Sequence, residues 1–72
     1  METGRYNYTH GRTLMQLYPS AGRWYLKFNG RDLCNYGSLA TAVRFVAHGR
    51  TGDQTIDRME PRPQAIGDWE RV

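Results

Sequence analysis

Cysteine, proline and long apolar runs are scarce in this chain of 72 residues. The single cysteine, Cys34, excludes an internal disulfide framework and suits a reducing compartment. No apolar run approaches the roughly 20 residues that a membrane-spanning helix needs. The polar start at residues 1–4 lacks the basic and apolar stretches of a secretory signal. We therefore expect a cytoplasmic protein without membrane contact.

Residues that carry catalysis or bind metals are also few. The two histidines, His10 and His48, lie far apart, and neither has a carboxylate partner nearby in the sequence. Such a histidine is more often a turn or cap residue than a general base. With one cysteine and no ligand spacing, a structural zinc site is not expected. The sequence predicts a non-enzymatic protein with no metal and no cofactor.

Positive charge dominates the first part of the chain and negative charge the last part. Residues 1–50 carry seven lysines and arginines against two acidic residues, a net charge of +5. Residues 51–72 carry three basic residues against five acidic ones, a net charge of −2. This pattern is typical of a body that meets a polyanion or of a tail that folds back on the body. It also suits an ordinary soluble surface, since the net charge is only +3.

Three turn signals divide residues 5–36 into four short runs. Asn29-Gly30 is the strongest, because a type I′ hairpin turn needs positive φ at both central residues. Residues 19–22 predict a four-residue loop, and His10-Gly11 predicts a two-residue turn. We expect an antiparallel meander with strands near 5–9, 12–18, 23–28 and 31–36.

Alternation with a period of two assigns each side chain of these strands to one of two faces. The apolar face holds Tyr6, Tyr8, Met15, Leu17, Trp24, Leu26, Phe28 and Leu33. The opposite face holds Arg5, Asn7, Arg12, Leu14, Gln16, Tyr18, Arg23, Tyr25, Lys27, Asp32, Cys34 and Tyr36. The predicted cross-strand partners include Thr9 with Arg12, Tyr18 with Arg23, Lys27 with Asp32, and Leu26 with Leu33.

The segment after the last strand predicts a helix that covers the apolar face. Ser38 is a favourable N-cap, and Gly49 follows the last helical residue, His48. Spacing of i, i+3, i+4 and i+7 forms one apolar stripe from Leu39, Ala42, Val43 and Val46. We therefore expect an α+β fold, with an antiparallel β-meander of three to four strands and one α-helix packed on one face.

The last part of the chain, residues 51–72, is predicted to be a tail. Helical periodicity stops and the charge changes sign at 49–52, which predicts a domain at 1–50 and an acidic tail at 51–72. The prolines of the tail predict an irregular, extended path. Its apolar content exceeds what a disordered acidic segment needs. We expect Trp69 to anchor the tail on the domain, beside Phe45.

The face that the helix leaves uncovered predicts the function. Its cationic side chains suit phosphates, its tyrosines suit bases, and its amides suit base edges. We therefore expect a small non-catalytic protein that binds DNA or RNA. The expected binding residues are Arg12, Gln16, Tyr18, Arg23, Tyr25, Lys27 and Tyr36.

The run Gly22–Phe28 followed by Ser38–Phe45 resembles the sheet-then-helix pattern of AP2-type and integrase arm-binding domains. Those families lay a three-stranded sheet into the major groove of DNA. The resemblance implies DNA contacts by Arg12, Arg23, Tyr25 and Lys27. It covers about 25 residues and rests on no diagnostic motif, so it is an analogy of architecture.

A protein-interaction module is the alternative function. Tyrosine, tryptophan and arginine dominate interface hot spots, so the same face also suits a protein partner. The outer strands, at 5–9 and 31–36, could pair with another chain and form a homodimer. Such a protein would suit an accessory or inhibitor protein of a phage or mobile element. Salt dependence separates the two functions, because phosphate contacts weaken steeply as salt is added.

Overall fold

Four hairpin-connected strands form most of the sheet. The computed structural model describes residues 4–72. Its first four strands are β1 (Tyr6–His10), β2 (Thr13–Ser20), β3 (Arg23–Phe28) and β4 (Arg31–Tyr36). A short fifth strand, β5 (Glu70–Arg71), pairs with β1, so the antiparallel order is β4-β3-β2-β1-β5. The predicted meander is confirmed, and the tail adds a strand that was not predicted.

The turns of the β2–β3 and β3–β4 hairpins share an unusual backbone conformation. Ala21-Gly22 has φ values of 52° and 78°, and Asn29-Gly30 has values of 50° and 86°. Positive φ at both central residues is what a type I′ turn requires. Asn29 also anchors its hairpin to the neighbouring strand, because its Oδ1 accepts a 2.8 Å hydrogen bond from the backbone N–H of Leu14.

Two of the predicted turns were displaced. The four-residue loop predicted at 19–22 is wrong, because β2 continues until Ser20 pairs with Arg23. The first turn is formed by Gly11-Arg12, and His10 pairs with Thr13 at the end of β1. Each error moves the register by two residues. A shift of two leaves every side chain on its predicted face.

A β-bulge in β4 does change the face of the sheet on which some side chains lie. Leu26 lies opposite Cys34 instead of Leu33, because β4 carries one extra residue at that point. Alternation beyond the bulge is therefore shifted by one residue. Cys34 and Tyr36 lie on the helix-covered face, where Tyr36 is 8% exposed. Their predicted place on the opposite face is wrong.

The helix forms where the sequence predicted it. Helix α1 (Leu39–Ala47) begins after Ser38, whose Oγ accepts a 3.1 Å hydrogen bond from the backbone N–H of Thr41. Its last residue is Ala47, followed by the C-cap His48 and by Gly49, whose φ of 64° suits a helix stop. Its buried side chains are Ala42, Val43, Val46 and Ala47. They pack over a core from the sheet that contains Met15, Leu17, Trp24 and Leu26.

The segment after α1 also enters the core. It contains a short helix, α2 (Gln54–Asp57), and a 3-10 helix at Ile66–Asp68. Asp53 caps α2 by accepting a 3.2 Å hydrogen bond from the backbone N–H of Ile56, which is fully buried. Trp69 is 5% exposed and belongs to the same cluster of buried residues.

Trp69 has a different ring neighbour from the one expected. Its ring centroid lies 5.9 Å from that of Tyr8 in β1. Phe45 instead packs edge-on against Tyr36, with 5.3 Å between ring centroids. The bulge explains this exchange, because it turns Tyr36 toward the flank of α1 where Phe45 lies. The tail therefore closes the β1 side of the core.

Candidate functional site

The side of the sheet opposite α1, called here the open face, is organised in cross-strand rows. One row contains Glu70, Asn7, Gln16, Lys27 and Asp32, and the next contains Tyr18, Tyr25 and Asn35. Directly opposed side chains on one face of an antiparallel sheet lie close enough to interact. The rows therefore place a charged and amide-bearing row beside an aromatic one.

Tyr18 lies at the centre of this surface. Its ring stacks on Tyr25, with 5.6 Å between centroids and an interplanar angle of 22°. Two cations approach the same ring: Arg5 Cζ lies 5.8 Å and Lys27 Nζ 5.2 Å from its centroid. A cation within about 6 Å of an aromatic centroid is attracted by the ring quadrupole. Positive charge is thus held against an aromatic platform.

A carboxylate fixes the tyrosine from its hydroxyl end. The Tyr18 hydroxyl donates a 2.8 Å hydrogen bond to Asp32 Oδ1. This bond to the carboxylate, the largest cause, raises the pKa of Tyr18, because it favours the neutral phenol. Asp32 is therefore already engaged within the face by a neutral group. Asp32 lowers the net positive charge of the open face but leaves the stacked rings of Tyr18 and Tyr25 in place.

The remaining polar groups are oriented by bonds to each other. Arg23 Nε donates a hydrogen bond to Asn35 Oδ1. Gln16 Nε2 donates a long, 3.4 Å bond to Asn7 Oδ1. Both bonds hold their side chains along the sheet. The side chains of the surface are therefore partly ordered before any ligand arrives. This order reduces the conformational entropy that is lost on binding.

The open face is shallow. Its cleft, lined by Arg5, Gln16, Tyr18 and Lys27, has a volume of about 40 Å³. Sites for small organic ligands commonly occupy roughly 300–1,000 Å³. A small molecule would find no enclosure here. The geometry suits a polymer or another extended surface that contacts many side chains at once.

Five of the predicted binding residues lie on the open face, where the register brings them together: Gln16, Tyr18, Arg23, Tyr25 and Lys27. Arg12 lies in the turn between β1 and β2, at the end of the sheet. Tyr36 lies under the helix, because the β-bulge in β4 shifts the alternation of the residues that follow it. Burial, the largest cause, raises the pKa of its hydroxyl, to which Cys34 Sγ donates a 3.2 Å hydrogen bond.

Five residues of the surface were absent from the predicted set of binding residues: Arg5, Asn7, Asp32, Asn35 and Glu70. Arg5 was assigned to the correct face by alternation, but its contact with Tyr18 depends on the register of β1 with β2. Asn35 reaches the open face only because of the bulge. Alternation signals Arg5, Asn7 and Asp32. No pattern in the sequence signals Asn35 or Glu70.

Across residues 4–72, no group of three or more histidine, cysteine, aspartate and glutamate side chains is placed to hold a metal ion. Within that range, no helix combines the length and the apolar character needed to cross a bilayer. The thiol of Cys34 is half-buried beside Tyr36.

The architecture is that of a small α+β domain whose sheet is covered by a helix on one side and left open on the other. No family model matches the chain, and comparisons with curated proteins and with solved structures found no match. What the protein does is therefore inferred from the chemistry of its own surfaces.

Proposed function

We propose that this protein binds nucleic acid, without catalysis, through the open face of its sheet. The observation that carries the proposal is the stacked pair Tyr18–Tyr25 with Arg5 and Lys27 held against it. Tyr18 and Tyr25 are partly exposed, and accessible aromatic rings stack on bases while neighbouring cations neutralise phosphates. The combination of both on one shallow surface supports a polymer of bases and phosphates as the ligand.

Charge and hydrogen bonding support the same proposal. Arg23 lies on the adjacent row, where its bond to Asn35 orients the guanidinium along the sheet. Gln16 and Asn7 add amide groups of the type that reads base edges. The rows contain two carboxylates: Glu70 at the β5 end, and Asp32, one of whose oxygens already accepts a hydrogen bond from the hydroxyl of Tyr18. The proposed ligand therefore meets three cations, Arg5, Arg23 and Lys27, against two carboxylates, of which Asp32 is already engaged.

The test is an NMR titration of the full chain with short single- and double-stranded DNA and RNA, each at two salt concentrations. We expect shifts at residues 16, 18, 23, 25 and 27, with affinity that falls as salt rises. Tyr25→Ala should weaken binding by about 1–3 kcal/mol, the usual worth of one base–aromatic stack. Lys27→Gln should reduce the salt slope by about one.

Arg58→Gln provides the matched control, because Arg58 is an exposed arginine just after α2. It should leave oligonucleotide binding unchanged. Absence of shifts on the open face with all four oligonucleotides would reject the proposal. Binding of a protein by the same residues, with little dependence on salt, would instead support the competing proposal of a protein-interaction module.

A further inference from the structure

The outer surface of α1 carries a groove that the proposed function does not use. The groove lies between α1 and the 3-10 helix and has a volume of about 420 Å³. Leu39, Val43 and Ala47 line it from α1, and Ile66 lines it from the tail. Ile66 is 42% exposed, which leaves a large apolar side chain facing solvent. This volume lies within the range of known ligand sites.

Two basic residues form a ridge beside this groove. Arg44 and His48 line it on one side, and they also line a second groove of about 380 Å³ with Phe45 and Arg50. The backbone N–H of Arg50 donates a 2.9 Å hydrogen bond to the carbonyl of Phe45, which holds the chain against the end of the helix. Phe45 is 38% exposed. An apolar wall therefore stands on each side of a basic ridge.

The charge of this surface has one sign. The residues that line the two grooves, all within the described range, include Arg44, His48 and Arg50 but no aspartate or glutamate. Of the large apolar side chains that are exposed in residues 4–72, two of three lie here, Phe45 and Ile66. A partner that is complementary to this surface carries carboxylates together with apolar side chains.

The shape of the surface favours a peptide over the other polyanions. The larger groove is lined mostly by aliphatic side chains, which suit the apolar side chains of a peptide better than a base, while Arg44 and His48 contribute its basic ridge. It is also concave between two elements, so the flat surface of a bilayer would not reach its apolar floor. A peptide can insert an apolar side chain into each groove while its carboxylates meet the ridge, as grooves that bind peptides commonly do.

We propose that the outer face of α1 docks an acidic peptide segment of another protein, with Arg44 and His48 binding its carboxylates. Apolar side chains of that segment fill the grooves beside Ile66 and Phe45. The proposal is independent of nucleic-acid binding, because α1 lies on the side of the sheet away from the open face. Each can fail without the other.

The probe is a fluorescein-labelled synthetic peptide composed of glutamate, leucine and phenylalanine, with an analogue in which every glutamate is lysine. Fluorescence anisotropy measures affinity for the full chain, and NMR shifts locate the contact. We expect the acidic peptide alone to bind, with shifts at Arg44, Phe45, His48 and Ile66. Arg44→Glu should weaken binding about tenfold, which corresponds to about 1.4 kcal/mol.

Matched variants separate docking from folding. Arg58→Glu makes the same charge change at an exposed arginine that lines neither groove, and it should bind the peptide as the parent chain does. Because Arg44 lies in the last turn of α1, a glutamate there opposes the helix dipole. Arg44→Gln avoids that effect and should weaken binding several-fold. Circular dichroism checks the fold of each variant.

Three results would overturn the proposal. Equal binding of the lysine analogue would exclude recognition of carboxylates. Unchanged affinity in a folded Arg44→Gln or Arg44→Glu variant would exclude the ridge. Shifts at these residues with vesicles of anionic lipid or with oligonucleotides, and not with the acidic peptide, would assign the surface to a different class of partner.

Discussion

At the residue scale, Tyr18 links the charge of the open face to pH. Its hydroxyl donates to Asp32, and this bond is the largest cause of its raised pKa. We predict that Asp32→Ala lowers the pKa of Tyr18 toward the ordinary tyrosine value, because the carboxylate no longer favours the neutral phenol. An NMR titration that follows the ring resonances of Tyr18 measures this change.

The same bond predicts how stability depends on pH. The pKa of Tyr18 is higher in the folded chain than in the unfolded chain. The contribution of the bond to stability is therefore present below the ordinary tyrosine pKa and is lost as pH rises through the folded-state value. The control for the Tyr18 titration is Glu60→Gln, which neutralises an exposed carboxylate of the tail. It should leave the pKa of Tyr18 unchanged. An unaltered pKa in Asp32→Ala would show that another group causes the shift.

At the scale of single elements, the turn between β2 and β3 contains an avoidable strain. Ala21 has a φ of 52°, a left-handed conformation that its Cβ disfavours by roughly 1–2 kcal/mol. Glycine adopts this conformation readily, although it gives the unfolded chain more freedom. We predict that Ala21→Gly stabilises the protein by about 1 kcal/mol in urea unfolding.

The matched control applies the same chemical change within α1. Ala40 is an exposed helical residue, so Ala40→Gly should cost up to about 1 kcal/mol. The two substitutions therefore should have opposite signs in one assay. Destabilisation by Ala21→Gly would mean that the freedom of glycine in the unfolded chain outweighs the relief of strain in the turn.

The elements differ in how far local patterns could predict them. Turn residues such as Asn29-Gly30 and the spacing of the α1 stripe are short-range signals, and they placed the four strands and the helix. Register is harder to predict, because a shift of two residues preserves both faces. The pairing of Ser20 with Arg23 was missed for that reason.

The bulge in β4 was beyond the reach of local patterns. It brings Tyr36 beneath the helix, where its ring meets Phe45, and brings Asn35 to the open face beside Arg23. These are contacts between residues that lie 9 and 12 positions apart along the chain. Alternation within a strand contains no information on them. One inserted residue therefore exchanged two members of the candidate site.

At the scale of the whole molecule, the tail is tied to the domain at several points. β5 extends the sheet at β1, and the backbone N–H of Val72 donates a 2.8 Å hydrogen bond to the carbonyl of Arg5. Arg62 Nε donates a long, 3.5 Å hydrogen bond to the carbonyl of Ala47 in α1, and the hydroxyl of Tyr8 donates a 3.4 Å bond to the carbonyl of Pro61. The tail thus covers one edge of the sheet, and Glu70 is the residue that it places at the border of the open face.

Trp69 decides how much of the fold depends on this tail. It is 5% exposed, within the same cluster as Met15 and Leu17. We predict that Trp69→Ala destabilises the protein by about 3–5 kcal/mol, the usual cost of emptying a tryptophan site. A core of this size rarely supplies more than about 3–5 kcal/mol in total, so the variant should be largely unfolded in thermal denaturation followed by circular dichroism. Val72→Ala, at a side chain that is 69% exposed, keeps the backbone bond and should melt like the parent chain. A Trp69→Ala variant as stable as Val72→Ala would show that residues 4–50 hold their structure without the tail.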